Sequence, residues 1–417
     1  MHKVYLKQAW QMLKEDKVIG IITISGTALA ITMIMVVILT QEIKTKNITP
    51  EIYRERTMYI EYTREESREK SHININPVSG RLYKQYLSQL KTPELLSLQK
   101  RDQSRISIIN QDEYLNVDIL YTDSEFWKMY RFSFEEGKPF SKEDFHSGLP
   151  TAVICKSMAQ KLFKGESPLG KEFLYKNKQH RICGVVKDIS TLCDKAYSQI
   201  WIPYTSVFEK MEDGHFTVVI LAGNKNDFNN IKKEVRESEI RNLREIDKNT
   251  VQFIGPYSRR ELLVKEGNLT NEDPNLKKSA FRFYLILAIL LLIPAVNLSG
   301  FSLFRIINRT SEIGIRKAFG ANRKTILTQV LYENLLTSLT GGIIGLLLSY
   351  FTVTLIKDRL FTIENNSFGE VTIPISSFIS PSIFFYVFLI CLILNLLSSG
   401  IPAWRASRLH TADAIKS

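Results

Sequence analysis

The chain has 417 residues, 44% of them hydrophobic, and carries 55 Lys and Arg against 43 Asp and Glu, a net charge of +12. A basic excess raises the question of nucleic acid, but no RNA- or DNA-binding signature accompanies it, and the Lys and Arg cluster beside apolar runs, as the positive-inside rule describes. The four cysteines contain no CxxC pair, which excludes the common zinc and redox motifs.

The apolar residues are concentrated rather than spread. A bilayer core needs about 20 consecutive, mostly apolar residues, and four stretches meet that length. The first 17 residues are basic and amphipathic, with Leu6, Ala9, Trp10 and Leu13 at helical spacing. They predict a helix in the cytoplasmic membrane interface. Span one follows at 18–40, uncharged and flanked by Lys14 and Lys17. It is too long for a signal-peptide core and is read as a retained helix.

From 41 to 278 no membrane-length run occurs. Strand-like runs recur at Met58–Tyr62, Val117–Tyr121, Thr151–Cys155, Ile182–Val186, Ile200–Pro203, Thr217–Leu221 and Val251–Ile254. Helical stretches at Lys156–Phe163 and Asn229–Leu243 lie among them, and Glu172–Tyr175 followed by Lys176-Asn177-Lys178 predicts a hairpin. The mixture predicts an α+β domain, long enough for two subdomains. Cys183 and Cys193 lie in it; free thiols and a disulfide both stay open at this point.

Span two is placed at 281–304, with Pro294 inside it and Asn297 one turn later. Span three is placed at 326–356. It contains Gly341, Gly342 and Gly345, a small-xxx-small pattern that lets helices approach closely. Span four is placed at 382–401, after a loop at 357–381, and a basic tail fills 402–417. Between spans two and three, Arg305–Lys324 holds six Lys and Arg against one Glu. That segment, the N-terminus and the tail all face the cytoplasm if span one enters from inside. The 41–278 domain is then extracytoplasmic. The predicted fold class is therefore a membrane protein of four transmembrane α-helices, with a large α+β extracytoplasmic domain between the first two.

Residues 309–321 read RTSEIGIRKAFGA. Glu312 and Arg316 sit four apart, Glu first, the favourable order for a helical ion pair. Ile315, Ala318 and Phe319 share one face, Gly320 suits a helix stop, and Asn322 is placed to cap the next helix. The pattern is a short amphipathic helix that offers side chains to a soluble partner.

This segment resembles the cytoplasmic coupling region of the MacB/FtsX-type ABC transporter permease family, through Arg309, Glu312, Ile313, Gly314, Ala318, Gly320 and Ala321. Arg316 and Lys317 complete the basic face assigned to ATPase coupling. Span three, with Glu333 and its Gly-Gly-x-x-Gly, is similar to the family's next span. The tail, with Pro402-Ala403, Ala406 and Asp413-Ala414, and the 152–188 stretch are similar to other parts of it. The resemblance implies a permease subunit with no cofactor and no enzymatic activity of its own. ATP would be bound by a separate cytoplasmic ABC ATPase, and a second permease would complete a homo- or heterodimer. Membrane lipid surrounds the spans, and a periplasmic adaptor is a further candidate partner. It also implies the bacterial inner membrane. Spans one, two and four carry no central charge, which argues against an ion pathway between the helices. The expected activity is mechanotransmission for export of a lipoprotein, peptide, antibiotic or other amphiphile. The alternative is an FtsX-like scaffold that signals to an extracytoplasmic hydrolase.

Gly165-Glu-Ser-Pro-Leu-Gly170-Lys171-Glu172 satisfies most of a Walker A pattern, but Glu172 stands where a hydroxyl must hold magnesium. A helix precedes it and a strand follows, the reverse of a P-loop. It is read as a turn. No HExxH or G-x-S-x-G motif occurs.

Overall fold

In the computed structural model, residues 17–67, 73–108, 114–245, 249–265, 273–308, 322–361 and 382–393 are described, with single positions at 11, 315, 319 and 397. The chain divides into two compact units. One runs from Lys44 to Leu276, and the other comprises the helices before and after it in sequence.

Helix α1, Lys17–Thr45, opens the helical unit. It continues past the expected end of span one at Thr40, because neither Gly nor Pro occurs between Gly26 and Pro50 to stop it.

The 44–276 unit contains β1 (Thr57–Ile60), β2 (Tyr62–Ser67), β3 (Ile73–Ser79), β4 (Pro93–Ile108), β5 (Tyr114–Thr122), β6 (Phe134–Gly137) and β7 (Thr151–Cys155). Helix α2 (Lys156–Phe163), β8 (Glu172–Tyr175), β9 (Lys178–Val186), β10 (Ile200–Pro203) and β11 (His215–Ala222) follow. Helix α3 (Phe228–Glu245), β12 (Asn249–Ile254), β13 (Tyr257–Ser258) and α4 (Arg259–Lys265) complete it. The strand order is β12-β2-β3-β11-β4-β5-β10-β7-β9-β6, with β1 and β13 on β11 and β8 on β4 and β9. Where length suggests two subdomains, two halves of sheet share one strand. Pro93 and Leu95–Gln99 of β4 pair with β11, with a register shift at Glu94, and Lys100–Ser107 pair with β5.

Several expected elements fall where periodicity puts them, and the misses have physical causes. Residues Met58–Tyr62, expected as one strand, are split at Glu61, because β1 joins β11 and β13 whereas β2 joins β3 and β12. In the hairpin the turn is the two residues Lys176 and Asn177, at φ 46° and 59°. Two consecutive left-handed residues give the strand twist a two-residue loop needs, so Lys178 is already in β9 and pairs with Tyr175. Strand β7, helix α2 and the β8–β9 hairpin form a crossover that leaves β7 and β9 parallel. The core is aromatic: Trp201, Tyr59, Tyr121, Phe126, Phe173 and Phe216 are fully buried. All four cysteines are free.

One half-buried and one buried carboxyl make the stability of this unit pH-dependent. Burial raises Glu239 on α3 to about 7 although it accepts the Phe253 N–H at 2.6 Å, and burial raises Asp123 to about 6 despite bonds from Ser97 and the Leu98 N–H. Raised folded-state pKa values favour the protonated form. Their stabilisation is complete below the unfolded carboxyl pKa and is lost as pH rises through about 6 to 7. Thermal melts of the full chain in detergent should therefore show a midpoint that rises as pH falls from about 7 to about 5. Glu239→Gln, which keeps the acceptor and cannot ionise, should flatten that rise. An unchanged slope would refute the assignment.

Helix α5 (Leu276–Asn308) runs without interruption through Pro294, α6 (Arg323–Phe361) has 39 residues, and α7 covers Ser382–Ile393. Among the described residues, Gly20–Thr45 and Thr328–Lys357 are long and apolar enough to cross a membrane, and Ser382–Ile393 is a shorter apolar helix. The N-terminal interfacial helix (apart from Gln11), the end of span four (apart from Leu397), the tail and residues 362–381 of the loop lie outside the described residues.

Candidate functional site

The three glycines of span three lie against other helices of their unit. A Cβ on Gly341 would lie 2.8 Å from Thr27 Cβ and 3.0 Å from the Ile24 carbonyl oxygen. One on Gly345 would lie 2.7 Å from the Ala28 carbonyl oxygen and 2.9 Å from Ile31 Cβ. Both therefore face α1, and the Thr32 hydroxyl donates across the contact to the Gly345 carbonyl at 3.1 Å. Gly342 faces α7, where a Cβ would meet the Phe388 ring at 2.9 Å. With no hydrophobic driving force between helices in lipid, such close backbone approach is what holds spans together. Other hydroxyls near the contact fold back onto their own helices: Thr27 of α1 donates to the Thr23 carbonyl at 2.9 Å and Thr337 of α6 to that of Asn334 at 3.0 Å.

All nine residues assigned to ATPase coupling, Arg309, Glu312, Ile313, Gly314, Arg316, Lys317, Ala318, Gly320 and Ala321, lie outside the described residues. Positions 315, 319 and 322 flank them. The Phe319 N–H donates to the Ile315 carbonyl at 3.1 Å, one helical turn, and both side chains are exposed, at 88% and 53%. The Thr325 N–H donates to the Asn322 carbonyl at 2.9 Å at the start of α6. The Gly165–Lys171 stretch is a turn: α2 precedes it, Glu172 opens β8, and the Gly170 N–H donates to the Ile182 carbonyl at 2.9 Å.

The structure also assembles a cluster that spacing did not reveal. Glu51 and Arg54 form a buried pair at 2.5 Å with side-chain exposures of 1% and 0%. Glu51 Oε1 accepts the Lys195 and Ala196 N–H groups at 2.9 Å each. Arg54 donates to the carbonyls of Leu192 and, at 3.2 Å, Lys46. Arg259 at the start of α4 donates to Asp194 Oδ2 at 2.9 Å, holds Nη2 2.6 Å from Oδ1, and donates to the Lys44 carbonyl at 3.2 Å. Lys195 pairs with Glu61, and Arg101 donates to the Asp194 carbonyl. Burial opposes ionisation of Asp194, but the Arg259 and Lys195 charges outweigh it and hold the carboxyl well below the usual range. Arg259 is raised for the same reason, burial opposing and Asp194 prevailing. Apart from the Glu51–Arg54 pair and the Arg54 bond to Lys46, the partners are 65 to 215 residues apart in sequence, so only the Glu51–Arg54 spacing was visible locally.

Two family models match the chain. The MacB-like periplasmic core domain covers residues 21–238, and the FtsX-like permease C-terminal region covers 284–411. The uncharacterized ABC transporter permease YknZ of Bacillus subtilis is 26% identical over 272 residues, 64% of this chain and 62% of that protein. The macrolide export ATP-binding/permease protein MacB of Escherichia coli K12 is 22% identical over 426 residues, 98% of this chain and 60% of that protein. The chain thus spans about three fifths of the length of the curated relatives it matches. Among solved structures, the periplasmic region of MacB from Actinobacillus actinomycetemcomitans is similar over 52% of this chain and 94% of that one, with 14% identity and a TM-score of 0.37.

Proposed function

Because the chain belongs to the family that joins a MacB-like periplasmic core domain to an FtsX-like permease region, we propose that it is the permease subunit of an ABC transporter, driven by a separate cytoplasmic ATPase. The observation that carries this reading is the presence of both family regions on one chain, with residues 309–322 between the long helices α5 and α6. In this reading four spans cross the bacterial inner membrane, both termini are cytoplasmic, and the 44–276 unit is outside. Two permeases work together. ATP-driven closure of the ATPase pushes the 309–321 segment, and the outer domain rearranges to extrude a lipoprotein, peptide, antibiotic or other amphiphile. The exposed Ile315 and Phe319 support a docking role for that segment, since an apolar pair on a helical turn facing solvent is a recognition surface. Catalysis, ATP binding and any cofactor belong to the partner.

Affinity purification of the tagged chain under gentle extraction should recover a Walker-containing ATPase with measurable activity. Glu312→Lys or Gly314→Trp should abolish its recovery and leave membrane insertion intact. Recovery of the chain alone would overturn the transporter reading, and recovery with an extracytoplasmic hydrolase would favour the regulatory scaffold.

A further inference from the structure

The segment 187–199 has no regular secondary structure, yet Ser190, Thr191, Leu192, Cys193, Ala196, Tyr197, Ser198 and Gln199 are buried. A buried irregular segment must find partners for its backbone groups. Here many of them come from the chain that leaves α1: Arg54 takes the Leu192 carbonyl, Glu51 takes two consecutive N–H groups, and the Cys193 thiol donates to the Thr49 carbonyl at 3.5 Å. The segment then runs directly into β10, which pairs with β5 and β7 in the second half of the sheet. On the other side, Arg259 follows β13, which pairs with β1, which pairs with β11 in the first half. Asp194 and Arg259 therefore join the two halves, and Arg259 also holds the Lys44 carbonyl in the last turn of α1. Beyond α4 the chain proceeds to α5.

A buried ion network is weak evidence for stability, because apolar side chains of similar volume serve as well; its best-attested use is to fix register. A junction that only had to be stable needs no such set of charged side chains. One that must hold an incoming and an outgoing strand of chain in a single arrangement gains from directional, bidentate bonds.

We propose that Glu51, Arg54, Asp194 and Arg259 form a positioning clamp that fixes the end of α1 and the start of α4 on the domain, so that displacement of α1 reaches both halves of the sheet at once. The proposal rests on the mechanotransmission reading and adds the residues through which the outer domain receives the motion. Without the clamp, residues 44–56 would be a compliant linker that absorbs the stroke.

The test is amide hydrogen exchange on the full chain in lipid nanodiscs, in two stages. In the chain without ATPase, Asp194→Asn and Arg259→Lys should speed exchange in peptides covering 44–54 and 190–197 by about tenfold or more, while β5 and β7 keep their protection. Unchanged protection there overturns the clamp whatever the fate of the transporter reading. In the complex with its ATPase, wild type should show an ATP-versus-ADP difference in 305–325, in 44–54 and in β10. The variants should keep the difference at 305–325 and lose most of it, about fivefold, in 44–54 and β10. A difference in β10 that survives both substitutions, or one confined to 305–325 in wild type, overturns the proposal. No difference at 305–325 in wild type overturns the mechanotransmission reading instead, and the first stage then decides the clamp alone. Arg259→Lys keeps the charge and loses only the fork, so it guards against simple misfolding of Asp194→Asn.

Discussion

Arg54→Ala should lower the stability of the 44–276 unit by about 3–5 kcal/mol, the cost of leaving a buried charge without its partner. The side chain is fully buried and pairs with Glu51, which is 1% exposed. Removing it strands the Glu51 carboxylate in a dry site and frees the Leu192 and Lys46 carbonyls as well. For a unit of this size roughly 2–4 °C accompanies each kcal/mol, so the melting midpoint of the detergent-solubilised chain should fall by about 10 °C. Arg54→Met combined with Glu51→Gln should recover more than half of the loss. It removes both charges, and the amide oxygen can still accept the Lys195 and Ala196 N–H groups. A midpoint for Arg54→Ala within a degree or two of wild type would show that water reaches the site and that the pair is not buried in solution.

Gly345→Val should separate α1 from α6 in the membrane unit. The added Cβ meets the Ala28 carbonyl oxygen at 2.7 Å and Ile31 Cβ at 2.9 Å. Backbone cannot yield as the tip of a flexible side chain can, so the helices must move apart. That costs the packing on both sides and the Thr32 bond to the Gly345 carbonyl. Overpacking of this kind costs about 1–3 kcal/mol in a well-packed core, and Gly341→Val should add a similar amount against Thr27 and the Ile24 carbonyl. The double variant should lose its detergent-resistant fold and become protease-sensitive. Gly26→Ala is the control. It lies in α1, nothing stands within 4 Å of its would-be Cβ, and a helix-favouring residue there should be neutral or slightly stabilising. If Gly345→Val melts with wild type while Gly26→Ala does not, the assigned face is wrong.

These two predictions fall on different levels of information. The glycine spacing in span three is visible in the sequence, and so is its meaning as a close-approach surface. Its partner is not: that Gly341 and Gly345 meet α1 while Gly342 meets α7 depends on how three separate helices assemble. The Glu51–Arg54 pair is a plausible i, i+3 contact on paper, indistinguishable from many surface pairs until Asp194, Lys195 and Arg259 arrive from elsewhere in the chain.

What the sequence by itself determined was whatever local composition decides. Apolar runs of membrane length, charge asymmetry, the Lys176-Asn177 turn and the limits of Lys156–Phe163 follow from residues within a few positions of one another, because hydropathy and backbone preference act over that range. The 309–321 segment stands as a coupling candidate on resemblance and amphipathic spacing alone, since the nine residues assigned to it lie outside the described residues. Only the tertiary structure decided β4, whose polar QKRDQSR stretch is assigned no element from sequence yet runs as one strand across both halves of the sheet. Its ladder bonds come from β11 and β5, and its polar side chains remain partly exposed or paired: Asp102 accepts from the Tyr121 and Tyr175 hydroxyls at 2.7 and 3.0 Å. Strand β3, mostly exposed, was hidden for the same reason. The split at Glu61 and the ion cluster were beyond local reading too. Each depends on hydrogen bonds and charges between residues distant in sequence, some more than a hundred positions apart, and those pairings exist only once the chain has folded.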